Sequence, residues 1–251
     1  MDLGLKNKNA IVTGASKGIG KSIALTLAKE GVNLAICARK EHSLKKVQDE
    51  LTSLGVKVFA QMCDVAKDEQ LEHFLLQAKD HLGSIDILIN NVSALNLGDE
   101  PSDWENSLQT DVLSSVKATK IVIPWMSAAG GGNILFISSI SGLEAGSPPA
   151  YAAGKAALIS YSKTIAVQLA PSNIRVNTIA PGSIEFEGGL WEQAKQNNTE
   201  FYESIRTSIP FGRLGTPDEV ANAVTFLVSP CASWITGACL SVDGGQHKGN
   251  L

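Results

Sequence analysis

Short apolar segments alternate along this 251-residue chain with longer segments of helical pattern. Several of the short segments are rich in valine and isoleucine and apolar throughout, which is typical of strands buried on both faces. They are NAIVTG, NLAICA, VKVFAQ, IDILINN, GNILFISS, IRVNTIA and ACLSVDGG. The helical segments lie at about 18–30, 41–54, 67–82, 102–128, 151–170 and 217–229. Because strands that alternate with helices pair in parallel, the chain is predicted to be an α/β protein with one doubly wound sheet of about seven strands.

The segments follow one another without a linker, an internal repeat or a low-complexity stretch, so residues 1–251 are predicted to form a single domain. Residues 183–212 break the alternation, because they separate the sixth strand from the last helix. Long insertions in folds of this kind are often functional lids. This insertion is therefore predicted to be a lid over the substrate site.

The composition argues against several classes of function. The net charge is −4 and no basic stripe is present, so a nucleic-acid partner is not expected. No segment reaches the roughly 18 consecutive apolar residues of a membrane span, and the first residues contain no apolar core of a signal peptide. A cytoplasmic protein without a membrane partner is expected by default. The four cysteines lack C-x-x-C spacing, so neither a metal site nor a disulfide is predicted.

A glycine-rich segment, TGASKGIG, joins the first strand to the first helix. Its glycines, Gly14, Gly18 and Gly20, have the spacing G-x-x-x-G-x-G. Glycines permit a tight turn and a close approach of the backbone to a ligand, and the free N–H groups at a helix N-terminus can bind a pyrophosphate. A turn that only needs flexibility would also use glycine. The position at the first strand–helix junction favours a dinucleotide-binding loop.

A second motif, YAAGK, places Tyr151 four residues before Lys155 in a segment of strong helix formers. On a helix the two side chains are neighbours on one face. A phenol beside an ammonium exchanges protons more easily than either group alone. Tyr151 alone would normally be interpreted as a half-buried core tyrosine, but the glycine loop and the serines before it favour catalysis.

The ordered set of motifs resembles the short-chain dehydrogenase/reductase family over nearly the whole chain. The matching segments are TGASKGIG, CDV, NN, ISS, YAAGK, RVNTIAPG, GRLGTPDEVA, ITG and VDGG. The pattern is most similar to 3-oxoacyl-carrier-protein reductases and the many oxidoreductases near them. This resemblance implies a Rossmann-like sheet, hydride transfer between a nicotinamide nucleotide and a carbonyl or secondary alcohol, and a homotetramer. The tetramer interfaces of relatives involve the equivalents of helix 151–170 and of the segment SWITGACLSVDGG.

The resemblance also implies the catalytic roles. Tyr151 exchanges the proton of the carbonyl/alcohol pair, and Lys155 bonds the nicotinamide ribose and favours the phenolate, since a free phenol of pKa near 10 is a poor base at neutral pH. A serine orients the substrate oxygen. The family pattern of a strand-end serine before an apolar link and a glycine selects Ser139, whereas the usual spacing to the tyrosine selects Ser138. We favour Ser139, because strand register fixes the direction of a side chain while loop length varies.

The same resemblance implies a set of cofactor-binding residues drawn from the glycine loop, the ends of the strands and the YAAGK motif. They are Gly14, Ser16, Lys17, Gly18, Ile19, Arg39, Asp64, Val65, Asn91, Tyr151, Lys155, Pro181, Gly182 and Ile184.

The end of the second strand indicates which nicotinamide nucleotide is bound. NAD-specific sites place a carboxylate there to accept from the ribose 2′-hydroxyl, but this chain has Arg39 and Lys40 with no carboxylate before Glu41. Lys17 in the glycine loop adds a second cation on the same side of the ribose in relatives. A 2′-phosphate needs such partners, so NADP(H) is predicted and NAD(H) is less favoured.

Three positions depart from the family pattern. Asp111 replaces an asparagine that holds a water next to the lysine; it keeps acceptor oxygens but adds a charge near Lys155. Val92 and Ser93 add side chains near the adenosine ribose. Phe186 replaces a threonine that commonly bonds the carboxamide. Asp111 is therefore a candidate member of the proton relay and also the main support for an alternative function, an NADP(H)-binding sensor or scaffold with weak or no turnover.

The sequence does not identify the substrate. The pocket is expected to be lined by residues 92–99, 141–149 and the insertion 183–212. This insertion is aromatic and acidic, which suits a substrate with an apolar body and disfavours a strongly anionic one. The aromatic residues could equally pack the lid onto the sheet or onto a neighbouring subunit.

Overall fold

The computed structural model describes residues 2–249, and its centre is one sheet of seven parallel strands. The spatial order is β3-β2-β1-β4-β5-β6-β7, as in a doubly wound α/β fold. The strands are β1 (Asn9–Thr13), β2 (Asn33–Ala38), β3 (Val58–Met62), β4 (Ile87–Asn90), β5 (Gly132–Ile137), β6 (Ile174–Pro181) and β7 (Cys239–Val242). The predicted fold class is thereby confirmed.

Helices cover both faces of the sheet. They are α1 (Gly18–Lys29), α2 (Glu41–Ser53), α3 (Asp68–Leu82), α4 (Pro101–Ser107), α5 (Ser114–Ala128), α6 (Pro149–Leu169), α7 (Leu190–Asn197), α8 (Thr199–Ser208) and α9 (Pro217–Val228). Within the part of the chain that the structure describes, no helix is both long and apolar enough to span a bilayer.

The strands are apolar throughout because each face of the sheet has its own hydrophobic core. In β1, Ala10 and Val12 point to the core under α1, α2 and α9, whereas Ile11 points to the core under α3, α5 and α6. All three side chains are fully buried. Burial on both sides removes the alternation of polar and apolar residues that a half-exposed strand would show.

The last strand, β7, forms one edge of the sheet, and its outer surface is open. Cys239 and Leu240 are exposed on it, and Trp234 just before it is 99% exposed. The other edge strand, β3, carries the exposed Met62. The two edges therefore leave apolar side chains in contact with solvent.

Two segments differ from the sequence prediction. The predicted helix 102–128 is interrupted by a π-helical turn (Leu108–Leu113) between α4 and α5. The hydroxyls of Ser114 and Ser115 donate to the carbonyls of Thr110 and Asp111, and such side-chain bonds compete with the regular helical ladder. The insertion 183–212 contains two helices, α7 and α8.

The N-terminus of α9 is held by a capping box. The Thr216 hydroxyl accepts from the backbone N–H of Glu219, and the Glu219 carboxylate accepts from the backbone N–H of Thr216. Arg213 donates two hydrogen bonds to the same carboxylate. The bonds from Arg213, followed by the N–H of Thr216, lower the pKa of Glu219 to about 2.

We expect Glu219→Gln to lower the free energy of unfolding at pH 7 by no more than about 1 kcal/mol, because the ion pair is exposed. The pKa of Glu219 is lower in the folded state than its ordinary 4.5. Its contribution is therefore fully present above that value and is lost as the pH falls towards 2. Urea denaturation at several pH values should show the difference shrinking in acid, whereas Glu105→Gln, at an exposed carboxylate of α4, should show no such trend.

Candidate active site

A cavity of about 520 Å³ opens at the carboxyl ends of the strands, where the strand order reverses between β1 and β4. Ligands of doubly wound folds bind at this switch point. Among the residues predicted to bind cofactor, those on the cavity wall are Gly14, Ser16, Lys17, Ile19, Arg39, Asp64, Val65, Asn91, Tyr151, Lys155, Pro181, Gly182 and Ile184. The fold therefore brings together side chains that are far apart in the sequence.

The glycine loop follows β1 and needs glycine at specific positions. Gly14 and Gly18 have φ of +69° and +54°, a left-handed conformation that costs other residues free energy. A Cβ on Gly20 would overlap the Gly14 carbonyl and the Asn91 amide. The loop thus leaves the free N–H groups of α1 facing the cavity, an arrangement that fits a pyrophosphate.

Asn91 braces this loop from the neighbouring strand. Its side-chain amide donates to the carbonyls of Thr13 and Gly14 at 2.9 and 3.2 Å. Its backbone N–H donates to the Thr13 hydroxyl at 3.0 Å. The ends of β1 and β4 are therefore tied together at the floor of the cavity.

The insertion 183–212 contacts the glycine loop at two points. Lys17 Nζ donates to the Gly188 carbonyl at 2.9 Å. The Phe186 ring lies against Gly18, where an added Cβ would come within 2.7 Å of it. Gly18 is consequently covered and does not line the cavity, although the sequence prediction grouped it with the contacting residues.

Tyr151 and Lys155 lie on the first turns of α6, which begins at Pro149. Lys155 Nζ is 5.7 Å from the centre of the Tyr151 ring and donates to the Ile137 carbonyl at 3.2 Å. Gly142 allows α6 to approach the strand-end turn, because a Cβ there would lie 2.7 Å from the Ala156 nitrogen. Both residues line the cavity, as the motif predicts.

Asp111 lies in the π-helical turn, beneath the cavity wall. Its Oδ1 is 3.0 Å from Lys155 Nζ, and the two side chains are 1% and 2% exposed. Oδ1 has no well-aligned hydrogen-bond donor, so the contact is chiefly ionic. Oδ2 accepts from the Ala94 N–H at 3.2 Å. The Asp111 carboxylate, whose extra charge the sequence indicated, therefore contacts the Lys155 ammonium but does not line the cavity.

The two candidate serines have different environments. Ser138 is buried, and its hydroxyl donates to the Lys155 carbonyl at 2.8 Å. The Ser139 Oγ accepts from the Ser141 N–H at 3.1 Å, which leaves its own O–H available to donate. Both residues line the cavity. The available hydroxyl is that of Ser139, the residue favoured from strand register.

The expected pocket lining is wrong for residues 141–149, none of which lies on the cavity wall. This loop is held elsewhere by its own contacts. Ser147 donates to Ser141 at 2.8 Å, and the Glu144 carboxylate accepts from the Lys248 N–H at 2.9 Å. The loop is thereby bonded to the C-terminal segment rather than directed into the cavity.

Several lining residues were missed by sequence reasoning. Asn106 lies in α4 and Thr110 in the π-helical turn that follows it, and both contribute polar groups to the wall. Their spacing of four residues places both on one helix face, but the sequence does not show which face meets the cavity. Leu190, Trp191 and Gln193 of α7 also line it, as expected for the insertion.

The comparisons with known proteins agree with this architecture. Residues 14–247 match the family model described as Enoyl-(Acyl carrier protein) reductase. Dehydrogenase/reductase SDR family member 4 of Homo sapiens is 36% identical, with 96% of this chain and 88% of the relative covered. The 7α-hydroxysteroid dehydrogenase of Escherichia coli (strain K12) is 36% identical over 97% of this chain and 96% of the relative.

The chain belongs to the short-chain dehydrogenase/reductase family.

Solved structures of the family superpose closely on this one. A 7α-hydroxysteroid dehydrogenase complexed with NADH and 7-oxo glycochenodeoxycholic acid gives a TM-score of 0.91, at 36% identity and 97% and 96% coverage of the two chains. The L-sorbose reductase of Gluconobacter frateurii complexed with NADPH and L-sorbose gives 0.92, at 32% identity and 99% and 100% coverage. As a short-chain dehydrogenase/reductase, the protein is an oxidoreductase of hydroxyl and carbonyl substrates and binds a nicotinamide cofactor.

In this short-chain dehydrogenase/reductase, Ser139→Ala should lower kcat by about 10²–10³-fold, because it removes the hydroxyl that we expect to donate to the reacting oxygen. Ser138→Ala should instead lower the free energy of unfolding by about 1–3 kcal/mol, since the Lys155 carbonyl loses a buried donor. Steady-state kinetics and urea denaturation of both variants separate the two roles. A reversed pattern would assign the orienting role to Ser138.

Asp111→Asn should lower the free energy of unfolding without cofactor by about 3 kcal/mol, because it leaves the Lys155 charge buried without a counter-ion. The activity of the folded variant near neutral pH should at least equal that of the parent, since Lys155 is no longer held by a carboxylate. Urea denaturation and initial rates check the two parts. A loss of activity beyond tenfold would instead show that the proton path depends on the carboxylate.

Proposed function

We propose that this protein is an NADP(H)-dependent reductase or dehydrogenase that interconverts a ketone and a secondary alcohol. The supporting observation is the convergence of Tyr151, Lys155 and a free Ser139 hydroxyl on one glycine-lined cavity. The proposed ketones include 3-oxoacyl compounds, because the sequence motifs resemble those of 3-oxoacyl-carrier-protein reductases. In this proposal the chain forms one domain, with a lid at residues 183–212.

Each catalytic side chain has a distinct role in this proposal. A nicotinamide nucleotide would be held by the glycine loop and Asn91, and it would supply or accept the hydride of the carbonyl/alcohol pair. The Ser139 hydroxyl donates a hydrogen bond to the carbonyl oxygen and fixes its position. Tyr151 gives a proton to that oxygen during reduction and takes it back during oxidation. Lys155 stabilises negative charge on the phenol oxygen, and Asp111 positions Lys155 from below.

The preference for NADP(H) rests on the cations near the expected adenosine ribose. Arg39 follows β2, lines the cavity and is exposed to solvent. Lys17 lines the same end, and its ammonium contacts a neutral carbonyl of Gly188. An ammonium bound only to a neutral acceptor keeps its full charge for a 2′-phosphate. Solved relatives hold NADPH, as in the L-sorbose reductase, or NADH, as in the 7α-hydroxysteroid dehydrogenase, so the proposed preference rests on these two cations.

A homotetramer in the cytoplasm remains part of the proposal. Two exposed apolar surfaces support self-association. Val167 on α6 is 70% exposed, and Trp234 and Leu240 beside β7 are 99% and 41% exposed. They belong to the two segments that the family resemblance places at subunit interfaces.

A second candidate is an NADP(H)-binding sensor or scaffold with weak turnover. The buried ion pair of Asp111 and Lys155 favours it, because a lysine held by a carboxylate is less available to the reacting groups. The two candidates differ in one measurement, the decay of NADPH absorbance with a panel of ketones. Tight NADPH binding without decay would select the second.

Tyr151→Phe should fold and bind NADPH but lose about 10²–10⁴-fold in kcat, since it lacks the proton-transferring hydroxyl. Tyr161→Phe is the matched control on the same helix, because Tyr161 packs edge-to-face on Phe136 at 5.8 Å and lies outside the cavity wall. Initial rates and intrinsic fluorescence measure the two properties. Retention of more than about a tenth of kcat by Tyr151→Phe would contradict the assignment.

NADPH should bind at least about tenfold more tightly than NADH, because charge-assisted bonds to the 2′-phosphate contribute about 1.5–3 kcal/mol each before desolvation. Fluorescence titration at equal salt measures both Kd values. Arg39→Ala should remove much of the difference, whereas Lys40→Ala, at an exposed residue outside the cavity wall, should retain it. Equal affinities in the parent would prove the cofactor assignment wrong.

A further inference from the structure

Charge is distributed unevenly along the cavity. Its charged lining residues within the described chain are Lys17, Arg39, Asp64 and Lys155. The first three lie at the end assigned to the adenosine, and Lys155 is already paired with Asp111. The remaining wall around Ser139 and Tyr151 is uncharged. A carboxylate or phosphate on the substrate would therefore find no free cation there, although proteins normally meet such groups with arginine or lysine.

The lid adds negative charge outside this wall. Residues 183–212 contain five glutamates against one lysine and one arginine. Hydrogen bonds from Tyr202 and Lys195 outweigh partial burial and lower the pKa of Glu185, so this carboxylate stays ionised at neutral pH. Although Glu185 is paired with Lys195, the five glutamates outnumber the two cations of this insertion, and the excess negative charge disfavours the approach of an anion.

The neutral wall is rich in hydrogen-bonding groups. Thr110 donates to the Asn106 side-chain oxygen at 3.1 Å, and Asn106 donates to the Asn96 side-chain oxygen at 3.2 Å. Asn106 therefore keeps one amide N–H that can donate to a ligand. The Thr110 hydroxyl keeps lone pairs that can accept a hydrogen bond. Ser93 Oγ accepts from the Leu95 N–H, which leaves its O–H free to donate. Gln193 adds an exposed amide from α7.

One aromatic residue completes this end of the cavity. Trp191 lies on the wall, and its ring stacks on Phe201 with a centroid distance of 5.7 Å and an interplanar angle of 23°. Stacking fixes the direction of the indole and leaves the rest of its surface for a ligand. A flat apolar surface among hydroxyl and amide groups matches a molecule with an apolar ring face and hydroxylated edges.

We propose that the substrate is a compact, uncharged ketone carrying at least one further hydroxyl group, or the corresponding alcohol, and not an anionic acyl carrier or carboxylate. This inference rests on the proposed function and narrows its range of ketones. Gln193 and Thr110 bind the additional hydroxyl groups, and Trp191 packs on the carbon skeleton.

Three ketones with the same ring test the proposal: cyclohexanone, 4-hydroxycyclohexanone and 4-oxocyclohexane-1-carboxylate, with acetoacetyl-coenzyme A as an anionic 3-oxoacyl probe. The kcat/KM with NADPH should be highest for the hydroxylated ring. It should exceed that of the carboxylate by at least about tenfold, because the carboxylate loses its hydration without gaining a cation. A carboxylate or thioester that matches or exceeds the hydroxylated ring would overturn the proposal.

Variants identify the groups that recognise the hydroxyl. Gln193→Leu and Thr110→Val should each reduce the ratio of kcat/KM for 4-hydroxycyclohexanone to that for cyclohexanone by roughly threefold to tenfold, the value of one neutral hydrogen bond. Gln196→Leu on the same helix and Thr164→Val on α6 are matched controls outside the cavity wall, and they should leave the ratio unchanged. An unchanged ratio in both cavity variants would refute the assignment of these side chains.

Saturation-transfer NMR with the NADP⁺-loaded protein separates this proposal from the function on which it rests. Hydroxylated binding stronger than carboxylate binding, with no NADPH oxidation by any ketone, would support the site chemistry and contradict the reductase. Turnover that favours the carboxylate or the unsubstituted ring would support the reductase and contradict the substrate class. Equal binding of all three rings would also contradict the substrate class.

Discussion

The tie between the ends of β1 and β4 is the constraint on which the site depends. The Asn91 side-chain amide donates to the carbonyls of Thr13 and Gly14, where the glycine loop begins. The Asn91 backbone N–H donates to the hydroxyl of Thr13. These bonds fix the distance between the ends of β1 and β4, where the strand order reverses. The contact with Gly20 is so close that no side chain could be added there. The shape of the cofactor cavity is therefore set by backbone packing, and the catalytic side chains are placed relative to it by α6.

Lys155 and Asp111 form a buried ion pair. The family resemblance implies an asparagine at position 111, so this chain departs from the family pattern there. Two charges removed from water cost several kcal/mol each, and their attraction offsets this cost only when the geometry is good. Here the ammonium also donates to the Ile137 carbonyl, while one oxygen of Asp111 accepts from a backbone N–H. The pair thus holds the lysine in one position at the expense of its freedom to respond to ligands.

The sequence predicted the fold class, and it identified most of the cavity wall around the glycine loop, because both depend on local signals: apolar strands, glycine spacing and the YAAGK helix. The remainder depends on contacts between distant segments. The π-helical turn is accompanied by bonds from the Ser114 and Ser115 hydroxyls to the helix backbone, and the ring of Phe186 lies against Gly18 from an insertion far along the chain. No periodicity reveals which face of such segments meets the cavity. The same limit explains why residues 141–149 were assigned to the wall.

The open edge at β7 has a consequence for the single chain in solution. An uncovered strand can accept another strand through the same backbone hydrogen bonds that build the sheet. Leu240 in this strand and Trp234 just before it add exposed apolar side chains to that edge. Unpaired backbone groups and exposed apolar side chains coincide at residues 234–242, and this combination favours pairing of the edge with a strand of another molecule.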